Sequence, residues 1–240
     1  MWKAWLRPPL ARAIHLIYEI VETMKQTAAT THDLNQLSEF FITTFPRMDR
    51  SEQALARAIY QQLALGEPLS LERLGEVLHQ AVNTLKETLA RWGGIFYNDD
   101  GAIIGFWGIA VEAMRHRMQF NGKTSYAWCA LDTLFIPELV GSTAEVSSTS
   151  ATTDKPITLT VTPQGIDSEQ TDTWVSFLLP DEKAVEEDVT TSFCHFVYFF
   201  QSRAAGETWI AKHPGTFLLS IDEAFKVGKK VNAARYRDVL

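Results

Sequence analysis

Residues 51–111 read SEQALARAIYQQLALGEPLSLERLGEVLHQAVNTLKETLARWGGIFYNDDGAIIGFWGIAV, and the fold turns on how this stretch divides. Ser51 is placed to cap a first helix that ends near Gly66, with Pro68 in the turn beyond it. Ser70 opens a second helix over LERLGEVLHQ, and AVNTLKETLARW supplies a third, with Val82, Leu85 and Leu89 at helical spacing. After Gly93 and Gly94, the apolar runs IFYN and AIIGFWGIAV flank Asp99, Asp100 and Gly101, the pattern of a hairpin. Three helices followed by a hairpin predict a winged-helix-like domain over residues 51–116.

Its charge argues against a role on DNA. The helix that would enter a groove offers Asn83, Lys86 and Arg91 against Glu87, and the wing tip carries Asp99 and Asp100, which phosphate repels. The whole chain of 240 residues has a net charge of -7 and a pI near 5.4. No nucleic-acid partner is expected from that balance, and a structural or substrate-covering role suits the wing better.

Working outward, residues 1–50 read as an N-terminal helical extension in which Leu10, Ile14, Ile17, Val21 and Met24 form one stripe of an amphipathic helix. Arg12, His15, Glu19 and Glu22 interrupt it, so it reads neither as a signal peptide nor as a membrane span, and a cytoplasmic protein is expected. Residues 117–240 read as an α+β domain with a mainly antiparallel sheet and flanking helices. AEVSSTSATTDKPITLTVTPQG predicts two antiparallel strands about the turn at TDKP, TWVSFLLP and FLLSI two more, and DEKAVEEDVTTSF a short acidic helix. AGETWIAKHPG and DEAFKVGKKVNAARYRDVL predict the remaining helices, and EAMRHRMQFNGK, near residues 112–122, marks the change of texture between the two regions.

Phosphate-loop, zinc-protease, serine-elbow and paired-cysteine signatures are all missing from the sequence. Their absence narrows the field, and the two cysteines are candidates within it. In YAWCALDTLFIPELVG, residues 126–141, a helix running from Cys129 and ending before Pro137 would put Cys129 and Asp132 on one face. A buried inert thiol beside a solvated acid fits that spacing as well as a site does. Cys194 lies in TTSFCHFVYFF, where it is either a small core residue or the second of two soft sulfur ligands. Such sulfurs select Cu(I), zinc or mercury, and His195 is the obvious third donor. A closed structural zinc site needs four ligands, so the count speaks against it.

YAWCALDTLFIPELVG, followed by AEVSSTSA, ITLTVTP and SFCHFVYFF, resembles the alkylmercury lyase family, and the similarity runs from about Ser51 to Phe225. DDGAIIGFWGI and HPGTFLLSIDEAF fit it as well. The resemblance implies an enzyme that breaks carbon–mercury bonds of organomercurial small molecules, with Cys129, Cys194 and Asp132 as the catalytic and mercury-holding residues. It implies no cofactor, external thiols for product release, and a mercuric reductase as acceptor of Hg(II). Many relatives carry further cysteines where this chain has Ser150 and His195, positions outside the implied triad. Tyr126, Trp128, Phe193 and Phe196 are either pocket walls for an alkyl or aryl group or ordinary core. Two other classes stay open on the residues alone: a winged-helix thiol metal sensor, and a mercury-binding protein without turnover.

Overall fold

A computed structural model describes residues 34–168, 172–178 and 193–240. The amphipathic helix expected over Leu10–Met24 lies outside these residues, as does all but Phe193 of the expected acidic helix. Residues 34–44 are helical (α1). Helix α2 (Arg50–Leu63) starts a little earlier than expected, because Asp49 rather than Ser51 is its cap. The Asp49 carboxylate accepts from the Glu52 N–H at 2.9 Å while the Glu52 carboxylate accepts from the Asp49 N–H at 3.0 Å, a reciprocal box that satisfies two donors at once. Helix α3 (Leu71–Leu78) is capped by Ser70 as expected, and α4 (Val82–Leu89) follows.

The hairpin is present as β1 (Ile95–Tyr97) and β2 (Ile103–Phe106), with the two aspartates at its tip. The run after it is not one strand, however. Trp107 and Gly108 have φ of 37° and 102° and form a two-residue turn into β3 (Ile109–Ala110), which pairs back on β2. The segment read as a change of texture is a further hairpin. Strand β4 (His116–Phe120) returns through Asn121-Gly122, both at positive φ, into β5 (Lys123–Ala127). An Asn-Gly pair is the sequence best suited to that turn.

Helix α5 (Asp132–Val140) begins at the acid rather than at Cys129, and it holds Pro137 inside rather than ending before it. An interior proline removes one helical hydrogen bond and crowds the carbonyl four residues back, a cost of ~3 kcal/mol. Complete burial of Ile136 and Leu139, with Leu134 nearly so, holds the helix together across it. Strands β6 (Ala144–Thr149), β7 (Pro156–Val161) and β8 (Ile166–Asp167) complete an eight-stranded antiparallel sheet in the order β1-β2-β3-β5-β4-β6-β7-β8. Residues 116 and 117 both lie in β4, so this sheet runs from the hairpin into the rest of the chain without a break.

A second sheet is built from β9 (Trp174–Leu178), β10 (Phe199–Phe200) and β11 (Thr216–Ser220) in the order β10-β9-β11. Helix α6 (Arg203–Ile210) packs on it, and α7 (Ile221–Arg235), capped by Ser220 and Glu223, runs back against α5. Alternating burial along β4, β6 and β7 turns Met118, Val146, Leu159 and Val161 inward, where one core also takes Leu55 and Ile59 of α2. Mixed α+β architecture with a large antiparallel sheet is therefore what the chain adopts. No helix among the described residues is long and apolar enough to cross a membrane.

Candidate active site

Cys129 occupies the short connection from β5 to α5. The Trp128 N–H donates to the Gly108 carbonyl at 2.9 Å and the Ala130 N–H to the Val197 carbonyl at 3.2 Å, which fixes the loop on both sides of the thiol. Asp132 is the first residue of α5, and its Oδ2 accepts from the Cys129 N–H at 2.8 Å. The two residues thus meet by a carboxylate reaching back from a helix start, not by sharing a helical face.

Cys194 opens a 3-10 turn, Cys194–Phe196, that leads into β10. Buried Ser176 of β9 holds this turn in place. Its hydroxyl donates to the Phe196 carbonyl at 2.7 Å and accepts from the Tyr198 N–H at 3.1 Å. The Ala130–Val197 bond then ties the two cysteine-bearing segments to each other. One ligand atom each from Cys129, Asp132 and Cys194, the two sulfurs and a carboxylate oxygen, lie within 4.8 Å of one another. Both cysteines are free thiols, and all three residues are buried.

Burial raises the Cys129 thiol well above its ordinary range, and the neighbouring Cys194 and Asp132 raise it further. Burial also lifts Asp132 to about 7, opposed only in part by hydrogen bonds from the thiol and backbone of Cys129. A carboxyl near neutrality can both take and give a proton at working pH.

Beside Asp132 opens a cavity of about 60 Å³. Phe41, Phe45, Tyr60, Trp107, Trp128 and Phe193 form much of its aromatic wall. Of the four aromatic residues read as either pocket wall or core, Trp128 and Phe193 line the cavity, while Tyr126 and Phe196 lie half-buried outside its lining. His195 is exposed and stands apart from the sulfur cluster, so it is not a third ligand. Ser150 is fully buried, with a hydroxyl that finds no partner.

Sequence reasoning missed the Trp107-Gly108 turn, whose glycine lies directly against Asp132. A Cβ on Gly108 would fall 2.4 Å from Oδ1 of that carboxylate. It also missed Asn232, Arg235 and Tyr236, which line the cavity from the end of α7 and just beyond it. Only the i to i+3 spacing of Asn232 and Arg235 on one helix hinted at a shared face.

The model of the alkylmercury lyase family matches residues 109–232, which hold all three converging residues. An alkylmercury lyase of Pseudomonas putida is 38% identical over 171 residues, covering 71% of this chain and 79% of its own length. This chain belongs to the alkylmercury lyase family. A second family member, from Staphylococcus epidermidis, is 32% identical across 85% of this chain and 95% of its own. Among solved structures, that of the mercury-bound form of MerB2 superposes with a TM-score of 0.67 at 20% identity, covering 83% of this chain and 98% of that one. At that identity the likeness speaks for the fold, which an alkylmercury lyase would share.

Proposed function

We propose that the chain cleaves the carbon–mercury bond of alkyl- and arylmercury compounds, with Cys129, Cys194 and Asp132 as the reacting groups. The observation that carries this reading is the convergence of two thiols and one near-neutral carboxyl beside an aromatic cavity. A thiolate of one cysteine displaces the counter-ligand of R–Hg–X, and the proton of that thiol leaves with X or to solvent, so that Asp132 is still a carboxylate. The second sulfur then bonds to mercury as its own proton passes to the Asp132 carboxylate. Asp132 delivers a proton to carbon, the carbon–mercury bond breaks with its electron pair on carbon, and R–H departs. Hg(II) stays between the two sulfurs until external thiols exchange with them.

These three side chains supply every bond and proton in the scheme, so it calls on no resident cofactor. A mercuric reductase is the acceptor we propose for the released Hg(II). Thiols that must stay reduced place the protein in a reducing compartment, for which the cytoplasm is the natural choice. The order α2, α3, α4, β1, β2 supports a winged-helix-like module, and its acidic tip suits cover over the site rather than a phosphate backbone. Benzene release from phenylmercury under excess thiol tests the activity. Cys129→Ser and Cys194→Ser should each lower turnover at least 1,000-fold, about 4 kcal/mol of barrier. Full turnover in both variants would remove the cysteines from the scheme.

A further inference from the structure

The cavity is not uniformly apolar, and besides Asp132 and the tyrosines its polar lining includes two residues from one face of α7. Asn232 is 1% exposed. Its amide orientation is set by its partners, since Nδ2 donates to the Phe135 carbonyl at 3.0 Å and to Glu138 Oε2 at 2.9 Å. Its Oδ1 is buried with no partner. One turn further on, Arg235 donates from Nη1 to the Phe41 carbonyl at 3.3 Å and lies over the rings of Phe45 and Trp107, at 4.7 and 5.1 Å. Its Nη2 is likewise buried and makes no hydrogen bond of good geometry, although the guanidinium lies close enough to the Tyr236 hydroxyl to interact with it. Both residues line the cavity.

A buried donor and a buried acceptor left unmade each cost about 1–3 kcal/mol, so a wall holding one of each calls for a ligand that completes them. Nearby charges do not answer that call. Glu138 is already engaged by Lys229 and by Asn232. The hydrogen bonds that oppose the shift of Asp132 come from Cys129.

We propose that Asn232 and Arg235 determine specificity by binding a hydroxyl group on the organic part of the mercurial. A hydroxyl is the smallest group that donates and accepts at once: its O–H donates to Asn232 Oδ1 and its oxygen accepts from Arg235 Nη2. The rest of the organic group packs on the aromatic wall, while the mercury end faces the sulfurs. A carboxylate would satisfy Arg235 but set a second acceptor against Asn232. A methyl group of the same size would leave both groups unmade, and sites that hydrogen-bond a substrate hydroxyl discriminate strongly against analogues that lack one.

This inference rests on the lyase reading of the same site, and the experiment separates the two. The substrates are 3-hydroxyphenylmercury and 3-methylphenylmercury, close in shape and in electron demand at the reacting carbon. In the unaltered protein the hydroxyl compound should have the higher kcat/KM by roughly tenfold, mostly through KM. In Arg235→Met, which keeps the aliphatic stem, the ratio should fall to near one. Reading a ratio within each variant cancels any loss common to both substrates. Asn232→Leu should do the same, and if it fails to fold, Arg235→Met alone decides. A ratio below about twofold in the unaltered protein, or one that survives in Arg235→Met, overturns the assignment. Phenol and toluene binding, followed by ligand-observed NMR, provides the second arm. If neither mercurial is cleaved the lyase reading falls, while a phenol preference lost in Arg235→Met upholds the hydroxyl site and equal binding overturns it.

Discussion

Asp132 has lost most of its water on folding, and the hydrogen bonds that favour its charge do not offset that loss, so its pKa stands at about 7. In the unfolded chain the same carboxyl ionises near 4. Between those values the folded state holds a proton that the unfolded state has released, and stability falls as pH rises through the window. Above it the folded chain carries the full cost of a buried charge. Asp132→Asn removes that cost and keeps an acceptor for the Cys129 N–H. Urea unfolding at pH 8.5 should find the variant more stable by on the order of 2 kcal/mol, with the gain gone below pH 4, while carbon–mercury cleavage is lost. A gain equal at both pH values would mean that the carboxyl is not the group being relieved. Cys129, Cys194 and Asp132, the three residues we propose to react, were legible through the family resemblance, because the spacing of one cysteine and one acid suits an inert buried thiol equally well. Asn232 and Arg235 were not, since their roles depend on a cavity closed by α1, α2 and α5 from distant parts of the chain.

Between β2 and β3, the Trp107-Gly108 turn shows where reading by element fell short. A two-residue hairpin with positive φ at both central positions ordinarily takes Asn-Gly, and that signature does occur at Asn121-Gly122. Tryptophan is a poor fit to this backbone, at a cost of roughly 1–2 kcal/mol, so GFWGI reads as continuous strand until the fold is known. Tertiary contacts hold it there. The Tyr60 hydroxyl donates to the Trp107 carbonyl at 2.8 Å, the indole N–H donates to the Gly93 carbonyl at 2.8 Å, and the ring stacks on Phe106. In return the turn brings bare backbone against the Asp132 carboxylate, which only glycine permits at 108. Gly108→Ala should lower turnover at least 100-fold and cost about 2 kcal/mol of stability, because φ and the carboxylate both resist the methyl group. Gly101→Ala is the control: its φ of 76° imposes similar backbone strain, but nothing lies within 4 Å of the added carbon. It should lose about 1 kcal/mol and keep its activity. Equal turnover in the two variants would show that the turn does not shape the site. Helix α5 was misjudged for the opposite reason, since its proline is a strong local stop signal that the burial of Ile136 and Leu139 overrides.

At the scale of the whole molecule the site lies at a seam. Cys129 follows β5 of the eight-stranded sheet, Cys194 precedes β10 of the three-stranded one, and two backbone bonds join their surroundings: Ala130 to Val197 and Ala151 to Phe199. Antiparallel strands and flanking helices were readable from alternation and turn chemistry. The pairing of β3 with β5, which joins the hairpin to the strands from β4 to β8 in one sheet, was not, because register between non-adjacent strands leaves no local mark. Mercury held by both sulfurs is then a cross-link between the two sheets. In the unfolded chain the same two thiols are separated by a long flexible loop whose closure opposes joint coordination, so Hg(II) favours the folded state. One equivalent of Hg(II) should raise the melting midpoint by about 5–10 °C and slow amide exchange in β9 and β10. Cys129→Ser and Cys194→Ser should each show less than half of that rise, since one sulfur binds the metal without spanning the seam. A full rise in either variant would mean that mercury stabilises the fold through a single thiol, and that the sheets are not being tied together at the site.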